Sequence, residues 1–211
     1  MNTTDLTVPE AQLHAIVLAA GPSRRFGSPK QLVRVQGRPL LHTAVGRASE
    51  VVGQSVVVVL GAGAATLAPL LRHSSGIVVI NRHWERGIAS SLRAGLRALP
   101  GSCDAVLLLL IDQPAVTATD LRRLIAAWRR QPGAACAAQF AGTIGTPLIV
   151  PRAFFAGLRA LTGDEAPADF LRRHPDRVMR VPMDAAALDL DTPEDLLQIG
   201  STTPGNSSDS S

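Results

Sequence analysis

A single carboxylate ends the most apolar segment of the chain. Residues 107–112 read Leu-Leu-Leu-Leu-Ile-Asp, followed by Gln113 and Pro114. Burying a charge is costly unless it is paired or bound to a metal, so a strand that delivers Asp112 at its carboxyl end needs an explanation. Carboxylate oxygens are ligands that suit Mg²⁺. The pattern favours Asp112 as a magnesium ligand over an aspartate that only caps the following turn.

A second acidic segment could supply the same metal ion. Asp189 and Asp191 alternate with leucines, so on an extended segment both side chains point to one face. One could bind the metal while the other is structural. The segment could also simply start a helix, because residues 192–195 (Thr-Pro-Glu-Asp) combine an N-cap, a first-turn proline and a capping-box acid.

Residues 18–30, Leu-Ala-Ala-Gly-Pro-Ser-Arg-Arg-Phe-Gly-Ser-Pro-Lys, have the composition of a phosphate-binding loop. Small residues at a strand end let a ligand approach the backbone, and glycines permit positive φ. Backbone N–H groups, Arg24, Arg25 and Lys30 could then gather around phosphates. Lys30 is the single lysine among 21 basic residues, and a compact ammonium fits between phosphate oxygens. The alternative is an ordinary loop with surface arginines.

Two better-known nucleotide motifs do not fit. The spacing of Gly21 and Lys30 differs from that of a P-loop. A dinucleotide fingerprint starts at Gly61 and Gly63 but has Thr66 at its last position, which disfavours a nicotinamide-dependent oxidoreductase. A tight strand-to-helix turn is the preferred interpretation of Gly61–Gly63.

Short apolar strands alternate with helical segments and must position these residues. The strands are predicted at Ala15–Ala20, Ser55–Leu60, Ile77–Ile80 and Ala105–Ile111, and the helices at Leu40–Val52, Ala64–Leu71, Ile88–Leu99 and Thr119–Arg130. This order predicts an α/β fold, a mostly parallel sheet with helices on both faces and ligands at the carboxyl ends of its strands. Further along, we predict strands Cys136–Phe140, Pro147–Val150 and Val178–Val181, a helix Arg152–Leu161 and a last helix from Thr192.

Composition limits the class of protein. The 211 residues are 46% hydrophobic and 18% charged, which excludes a disordered chain and a coiled coil, and two cysteines exclude a disulfide scaffold. We expect a flexible segment 1–12, one domain over 13–200 and a disordered Ser-rich tail 201–211. The chain shows no secretory signal and no apolar run near the length of a membrane span, which predicts a cytoplasmic protein without membrane contact.

Charge is unevenly distributed along the chain. Residues 1–103 hold 11 Lys+Arg against 4 Asp+Glu (+7), and residues 104–211 hold 10 against 13 (−3). A basic half and an acidic half suit an anionic ligand together with a metal ion. A nucleic-acid surface is disfavoured because aromatic residues make up only 3% and no basic run exceeds two residues.

Taken together, the motifs resemble the nucleotidyltransferase family that includes molybdenum cofactor cytidylyltransferase, over roughly residues 13–200. The matching positions are Leu18-Ala19-Ala20-Gly21-x-Ser23-x-Arg25-Phe26-Gly27-x-Pro29-Lys30-Gln31-Leu32, Asn81-x-x-Trp84-x-x-Gly87 with Ser90-Ser91, Asp112-Gln113-Pro114, Gly142-x-x-Gly145-x-Pro147, Gly163-Asp164 and Asp189-x-Asp191-Thr192-Pro193.

The resemblance implies a Rossmann-like nucleotidyltransferase fold of the GT-A type and a role for each motif. Mg²⁺ would be held by Asp112 with Asp191, and Asp189 is a further candidate; Lys30, Arg25 and Asp112 would be catalytic. The implied nucleotide-binding residues are Leu18, Ala19, Ala20, Gly21, Ser23, Arg24, Arg25, Lys30, Asn81, Gly87, Ser90 and Ser91. The implied acceptor-binding residues are Gly142, Gly145, Pro147, Gly163 and Asp164.

The implied reaction transfers CMP from CTP to the phosphate of molybdopterin and releases pyrophosphate, with a molybdoenzyme or its chaperone as a partner. Ala19-Ala20-Gly21 is the form that goes with CTP in the family. Two departures lie on the acceptor side: Thr146 stands where relatives commonly have His or Asn, and residues 166–168 (Ala-Pro-Ala) stand where they have Gly-Ala-Arg. The alternatives are therefore a different phosphate acceptor, such as a sugar or alcohol phosphate, and a non-catalytic carrier of nucleotide or cofactor.

Overall fold

The computed structural model describes residues 11–74 and 76–197. Within them one seven-stranded sheet has the order β5-β4-β1-β6-β8-β7-β9, and β2 and β3 form a separate small hairpin. The strands are β1 (Leu13–Ala19), β2 (Arg34–Val35), β3 (Arg38–Pro39), β4 (Val56–Leu60), β5 (Ile77–Ile80), β6 (Ala105–Leu110), β7 (Ala135–Phe140), β8 (Thr143–Pro151) and β9 (Val178–Pro182).

Helices connect the strands. The α-helices are α1 (Leu40–Val52), α2 (Ala64–Leu67), α3 (Ile88–Ala98), α4 (Ala118–Arg130), α5 (Phe155–Ala160) and α6 (Pro167–Arg172). Short 3₁₀ turns occupy Arg24–Phe26, Lys30–Leu32, Ala68–Leu71, Trp84–Arg86, Arg152–Phe154, Pro175–Arg177 and Asp184–Ala187. No helix in the described ranges has the length and apolar character needed to cross a membrane.

The sheet confirms the predicted α/β architecture. β1 pairs in parallel with β4 and β6, and β8 is antiparallel to β6 and β7. Alternate residues of β1 enter different cores: Val17 packs in the layer that holds Trp128 of α4, and Ile16 packs in the layer that holds Leu92 of α3. Both faces are therefore covered, which explains why β4 and β6 are wholly apolar and why β1 has only His14 as a polar residue.

Several elements differ from the sequence-based expectation. The predicted helix Arg152–Leu161 is a 3₁₀ turn followed by α5, and the predicted strand Pro147–Val150 is part of the longer strand β8. The predicted helix Ala64–Leu71 is α2 followed by a 3₁₀ turn, because Pro69 lies in it and cannot donate a backbone hydrogen bond. Helix α6 was not predicted. Its start carries a signal that could have been used, since Pro167 occupies the first turn and the Asp169 carboxylate accepts the Ala166 N–H at 2.9 Å.

The ends of the chain were predicted to be flexible. Gln12 is described and is tied to the strand layer, since its N–H donates to the Asp104 carboxylate at 2.8 Å. The rest of the predicted flexible segment, residues 1–10, and the predicted Ser-rich tail 201–211 lie outside the described residues.

Candidate active site

A cleft lies at the carboxyl ends of β1 and β6, where the sequence predicted a ligand site. Its inner part has a volume of about 270 Å³, and an outer part of about 340 Å³ shares Ser23, Lys30, Gly87 and further residues with it. The predicted nucleotide-binding residues that line the inner part are Leu18, Ala19, Ala20, Gly21, Ser23, Lys30, Gly87 and Ser91. Arg24, Arg25 and Asp191 line the outer part.

The floor of the cleft holds a cluster of opposite charges around Lys30. This residue is 8% exposed, and its Nζ lies 2.9 Å from Asp191 Oδ1 and 3.5 Å from Asp112 Oδ2. Arg25 reaches the other oxygen of Asp191 at 2.9 Å. Because the Arg25 side chain is 73% exposed, its ion pair contributes little to stability and mainly gathers charge at the cleft entrance.

Backbone pairing brings the two predicted metal-binding segments together. The Leu190 N–H donates to the Asp112 carbonyl at 2.8 Å, and the Leu190 side chain is fully buried. This contact fixes Asp191 beside the end of β6. The predicted capping-box acid is in place, because the Asp195 carboxylate accepts the N–H groups of Asp191 and Thr192 at 2.8 and 2.7 Å. These two hydrogen bonds lower the pKa of Asp195. The helical residues begin at Asp195, however, and not directly after Thr192.

Asp112 carries an unsatisfied buried oxygen. Its Oδ1 is buried and has no hydrogen-bond partner in the described part of the chain. Burial raises the pKa of Asp112, an effect that the nearby Lys30 ammonium opposes and the Asp191 charge reinforces. An orphaned carboxylate oxygen beside a second carboxylate is a donor set that fits a hard divalent cation. Asp112 and Asp191 are thus the residues that would hold Mg²⁺.

The third candidate ligand, Asp189, differs from the other two. It does not line the cleft and does not contact Lys30. Desolvation, followed by the charges of Asp112 and Asp191, raises the pKa of Asp189 to about 6. In residues 11–74 and 76–197 no three His, Cys, Asp or Glu side chains are already gathered as a metal site. Asp112 and Asp191 instead flank an ammonium ion.

The residues predicted to bind nucleotide near the start of α3 have two different roles in the structure. Asn81 is buried, and its Nδ2 donates to the hydroxyls of Ser90 at 2.8 Å and Ser91 at 3.0 Å. The Ser90 hydroxyl donates to backbone carbonyls of the same turn, including that of Gly87 at 2.8 Å. Asn81 and Ser90 therefore hold the turn, whereas Ser91 lines the cleft.

The predicted acceptor residues are separated by the fold. Asp164 lines both parts of the cleft, and Gly163 lies directly against Gly87. Gly142 and Gly145 lie on the β7–β8 hairpin and do not line the cleft. Pro147 borders a different, small cavity of about 20 Å³ beneath the end of β6.

Substitution Gly87→Ala should destabilise the chain and weaken nucleotide binding. Gly87 has φ of +86°, and an added Cβ would lie 2.2 Å from the Gly163 carbonyl oxygen, so the two segments would have to separate. We expect unfolding free energy to fall by about 1–3 kcal/mol. Urea denaturation measures this. Gly101→Ala is the matched control, because an added Cβ at Gly101 has no neighbour within 4 Å; an equal loss in both variants would contradict the contact.

Sequence reasoning missed one residue of the cleft that the structure makes prominent. Gln31 is 2% exposed, borders the cleft, and donates to the carbonyls of Ala19 and Gly21. In the sequence it was a matching position of the family motif directly after Lys30, with no role assigned to it. Trp84, a matching position of the family motif, is half-buried and lines both parts of the cleft.

Comparison with known proteins agrees with this geometry. Residues 15–178 match the model of the MobA-like NTP transferase domain. Nicotine blue oxidoreductase of Paenarthrobacter nicotinovorans is 32% identical over 187 residues, which cover 83% of this chain and 87% of that protein.

Solved structures show the same fold. Rv0371c of Mycobacterium tuberculosis H37Rv superposes with a TM-score of 0.75 at 27% identity, over 90% of this chain and 98% of that one. A manganese complex of Rv0371c superposes with a TM-score of 0.71 over 92% of this chain and 100% of that one, at 27% identity. Molybdopterin-guanine dinucleotide biosynthesis protein A of Archaeoglobus fulgidus shares the fold alone, with 18% identity and a TM-score of 0.67 over 88% of this chain and 96% of that one.

The matched domain spans the strands, the phosphate loop and Asp112, so the predicted enzyme class is confirmed along with the predicted fold. Nucleotidyltransferases of this kind act on small-molecule substrates. The chain belongs to the MobA-like NTP transferase family.

Proposed function

We propose that this nucleotidyltransferase transfers CMP from CTP to the phosphate of molybdopterin and releases pyrophosphate. The observation that carries the proposal is the orphaned Asp112 Oδ1 on the floor of the cleft, next to Lys30 and Asp191. A site with a buried ammonium and two carboxylates suits a nucleoside triphosphate with its divalent cation. Ala19-Ala20-Gly21, which borders the cleft, supports CTP among the nucleotides.

The chain's own residues supply most of the chemistry. An oxygen of the acceptor phosphate attacks the α-phosphorus in line, and the bond between that phosphorus and the oxygen bridging to the β-phosphate breaks. The electron pair leaves with pyrophosphate. Lys30 and Arg25 stabilise the charge that develops on the phosphate oxygens. Asp112 and Asp191 would hold the divalent cation of the nucleotide, which would supply further positive charge there.

No general base is needed in this reaction. The attacking phosphate oxygen is already anionic near neutral pH, so no proton has to be removed from it. This accounts for a cleft whose described lining contains carboxylates, an ammonium and guanidinium groups but no histidine. We propose that the product then passes to a molybdoenzyme or its chaperone.

The test is pyrophosphate release with Mg²⁺ and each of CTP, GTP, ATP and UTP, with and without molybdopterin. We expect release only with CTP and molybdopterin together. Release with another acceptor, such as a sugar phosphate, would overturn the pterin assignment and keep the enzyme class. Nucleotide binding without release, after a screen of acceptors, would favour the non-catalytic carrier.

One comparison favours a second candidate function. The relative that is 32% identical over most of both chains bears the name of an oxidoreductase, which makes reduction of an organic acceptor by a nicotinamide cofactor a rival activity. Little in the structure supports a nicotinamide-binding site. Gly61 is covered by Trp84 and by the Ala20 carbonyl, so the partial dinucleotide fingerprint does not border the cleft. NADH fluorescence titrated with protein tests this candidate, and we expect no saturable change.

A further inference from the structure

The side-chain amide of Gln31 is buried beside the cleft, where a polar group needs hydrogen-bond partners. Its side chain is 2% exposed, and it lies in the 3₁₀ turn Lys30–Leu32, directly after the buried ammonium. A buried amide is costly unless its hydrogen bonds are made. The three hydrogen bonds of its side chain all go to one neighbouring segment, residues 19–23, in the first part of the loop that is proposed to bind phosphate.

The Gln31 amide holds both ends of this segment. Nε2 has two hydrogens, and it donates to the carbonyl of Ala19 at 2.9 Å and to that of Gly21 at 3.0 Å. Oε1 accepts from the Ser23 hydroxyl at 3.5 Å, and the same hydroxyl oxygen accepts the Lys30 N–H at 3.0 Å. One side chain thus connects the loop that borders the cleft to the turn that carries Lys30.

The carbonyl between these two is also held by a donor. Ala20 O accepts the Ala62 N–H at 3.0 Å, from the Gly61–Gly63 turn that was left without a function. These peptides are trans, and in a trans peptide the C=O and N–H point in opposite directions. Holding the Ala20 carbonyl against Ala62 therefore turns the Gly21 N–H away from it. That N–H has no backbone or side-chain acceptor in the described part of the chain, and Gly21 lines the cleft.

This arrangement removes repulsion as well as leaving the Gly21 N–H unpaired in the described part of the chain. Three successive carbonyl oxygens that could face phosphate oxygens are each paired with an N–H group inside the protein. Unpaired backbone N–H groups beside a cation are a recurrent way to bind anions. The loop is short and contains glycine, so without an internal partner its peptides could rotate and present carbonyl oxygens to the cleft.

We infer that Gln31 is a positioning residue for the triphosphate: it acts through the backbone of Ala19–Gly21, setting the orientation in which that backbone binds phosphate. The inference rests on the proposed function, because it assumes that phosphates occupy this part of the cleft. It assigns to the Gln31 side chain a role in nucleotide affinity that is separate from the charge of Lys30.

Binding of inorganic tripolyphosphate to the full chain in EDTA tests the inference, by isothermal titration calorimetry. Gln31→Met keeps the length of the side chain and removes both donors, and we expect its Kd to rise about tenfold or more. Gln31→Glu also places a negative charge behind the loop, and its Kd should rise further. Ser23→Ala removes the hydroxyl that links Gln31 to the Lys30 N–H, and it should raise the Kd by a few fold. Because Ser23 is only half-buried, this variant still tests the inference if the Gln31 variants do not fold.

Gln113→Met is the matched control. Gln113 is also buried, and its Nε2 likewise donates to two carbonyls, those of Thr146 at 3.0 Å and Ala186 at 2.9 Å. Its loss should lower the melting temperature about as much as Gln31→Met does, with the tripolyphosphate Kd unchanged. In turnover with CTP, Gln31→Met should raise KM and leave kcat within a few fold. A merely destabilised variant would lower the active fraction without raising KM.

The outcomes separate the inference from the proposed function. If wild type and Gln31→Met bind tripolyphosphate equally well, the inference is overturned and the proposed function stands. If Gln113→Met weakens binding as much as Gln31→Met, the effect is general destabilisation and the inference fails. If wild type binds neither tripolyphosphate nor CTP, the proposed function itself is contradicted.

Discussion

Asp112→Asn should lower nucleotidyl transfer by about a thousandfold while the chain stays folded. The reason is that Asp112 Oδ1 is buried without a partner and lies beside Asp191, the place where the divalent cation of the nucleotide would bind. An amide in the same position offers a weaker, uncharged oxygen. Initial rates of pyrophosphate release at saturating CTP measure the effect, and Mn²⁺ titration followed by electron paramagnetic resonance should show weaker binding.

Stability should move in the opposite direction from activity. Burial raises the pKa of Asp112 above its value in the unfolded chain, so the ionised carboxylate costs free energy in the folded state once the pH exceeds the unfolded pKa. Removing that charge should therefore leave the melting temperature at neutral pH equal to or above that of wild type. An Asp112→Asn protein that melts normally and turns over normally would refute the metal-site assignment.

Asp104→Asn is the matched control for this experiment. Asp104 immediately precedes the same strand, β6, at the end remote from the cleft, and its carboxylate accepts the Gln12 N–H at 2.8 Å. We expect Asp104→Asn to retain turnover and to lose a little stability because the Gln12 hydrogen bond is weakened. The comparison isolates the position of the carboxylate in the fold from the general effect of losing a negative charge.

Lys30→Met should lower kcat/KM by about a hundredfold or more, because a buried charge partner of the transition state is lost. Lys30→Arg should not restore the rate. The ammonium nitrogen fits between Asp191 Oδ1 at 2.9 Å and Asp112 Oδ2 at 3.5 Å, and a planar guanidinium is wider than this space. Steady-state kinetics with CTP measure both variants. Arg34→Gln, which removes an exposed cation on β2, is the control and should leave the rate unchanged.

The pH dependence of the Lys30→Met variant carries a second, independent expectation. The Lys30 ammonium lowers the pKa of Asp112, so its removal lets burial and the Asp191 charge raise that pKa further. Because the ionised carboxylate is the metal-binding form, the acid limb of the kcat/KM profile should shift to higher pH. A profile that keeps its acid limb while the rate falls would mean that Lys30 and Asp112 do not interact in the working enzyme.

Local pattern alone was enough to predict much of this protein. Apolar runs of four to seven residues that alternate with amphipathic segments predicted the strands and helices on either side of the sheet, because each element must bury its own apolar face. Asp112 was conspicuous for the same reason, since a charge that follows a buried strand is costly and demands a partner. The small residues of the phosphate loop and the single lysine were equally visible.

Only the tertiary structure decided which of these residues meet. Lys30 contacts carboxylates that are 82 and 161 positions away in the chain, and no local pattern specifies such pairs. The same holds for the separation of Asp191 from Asp189, which sequence alternation placed on one face. The Leu190 N–H pairs with the Asp112 carbonyl and aligns the segment with β6, so that Asp191 alone of the two contacts Lys30.

The tertiary structure also decided that neighbouring residues of one motif have different roles. Ser90 and Ser91 are equivalent in sequence, yet Ser90 donates to carbonyls of its own turn while Ser91 borders the cleft. Gln31 was a position of the family motif without an assigned role, and its Nε2 hydrogen bonds go to carbonyls ten and twelve residues earlier. Sequence reveals which side chains are costly or unusual where they stand. Which partner offsets that cost depends on backbone groups that every residue possesses, and only their arrangement in space distinguishes one from another.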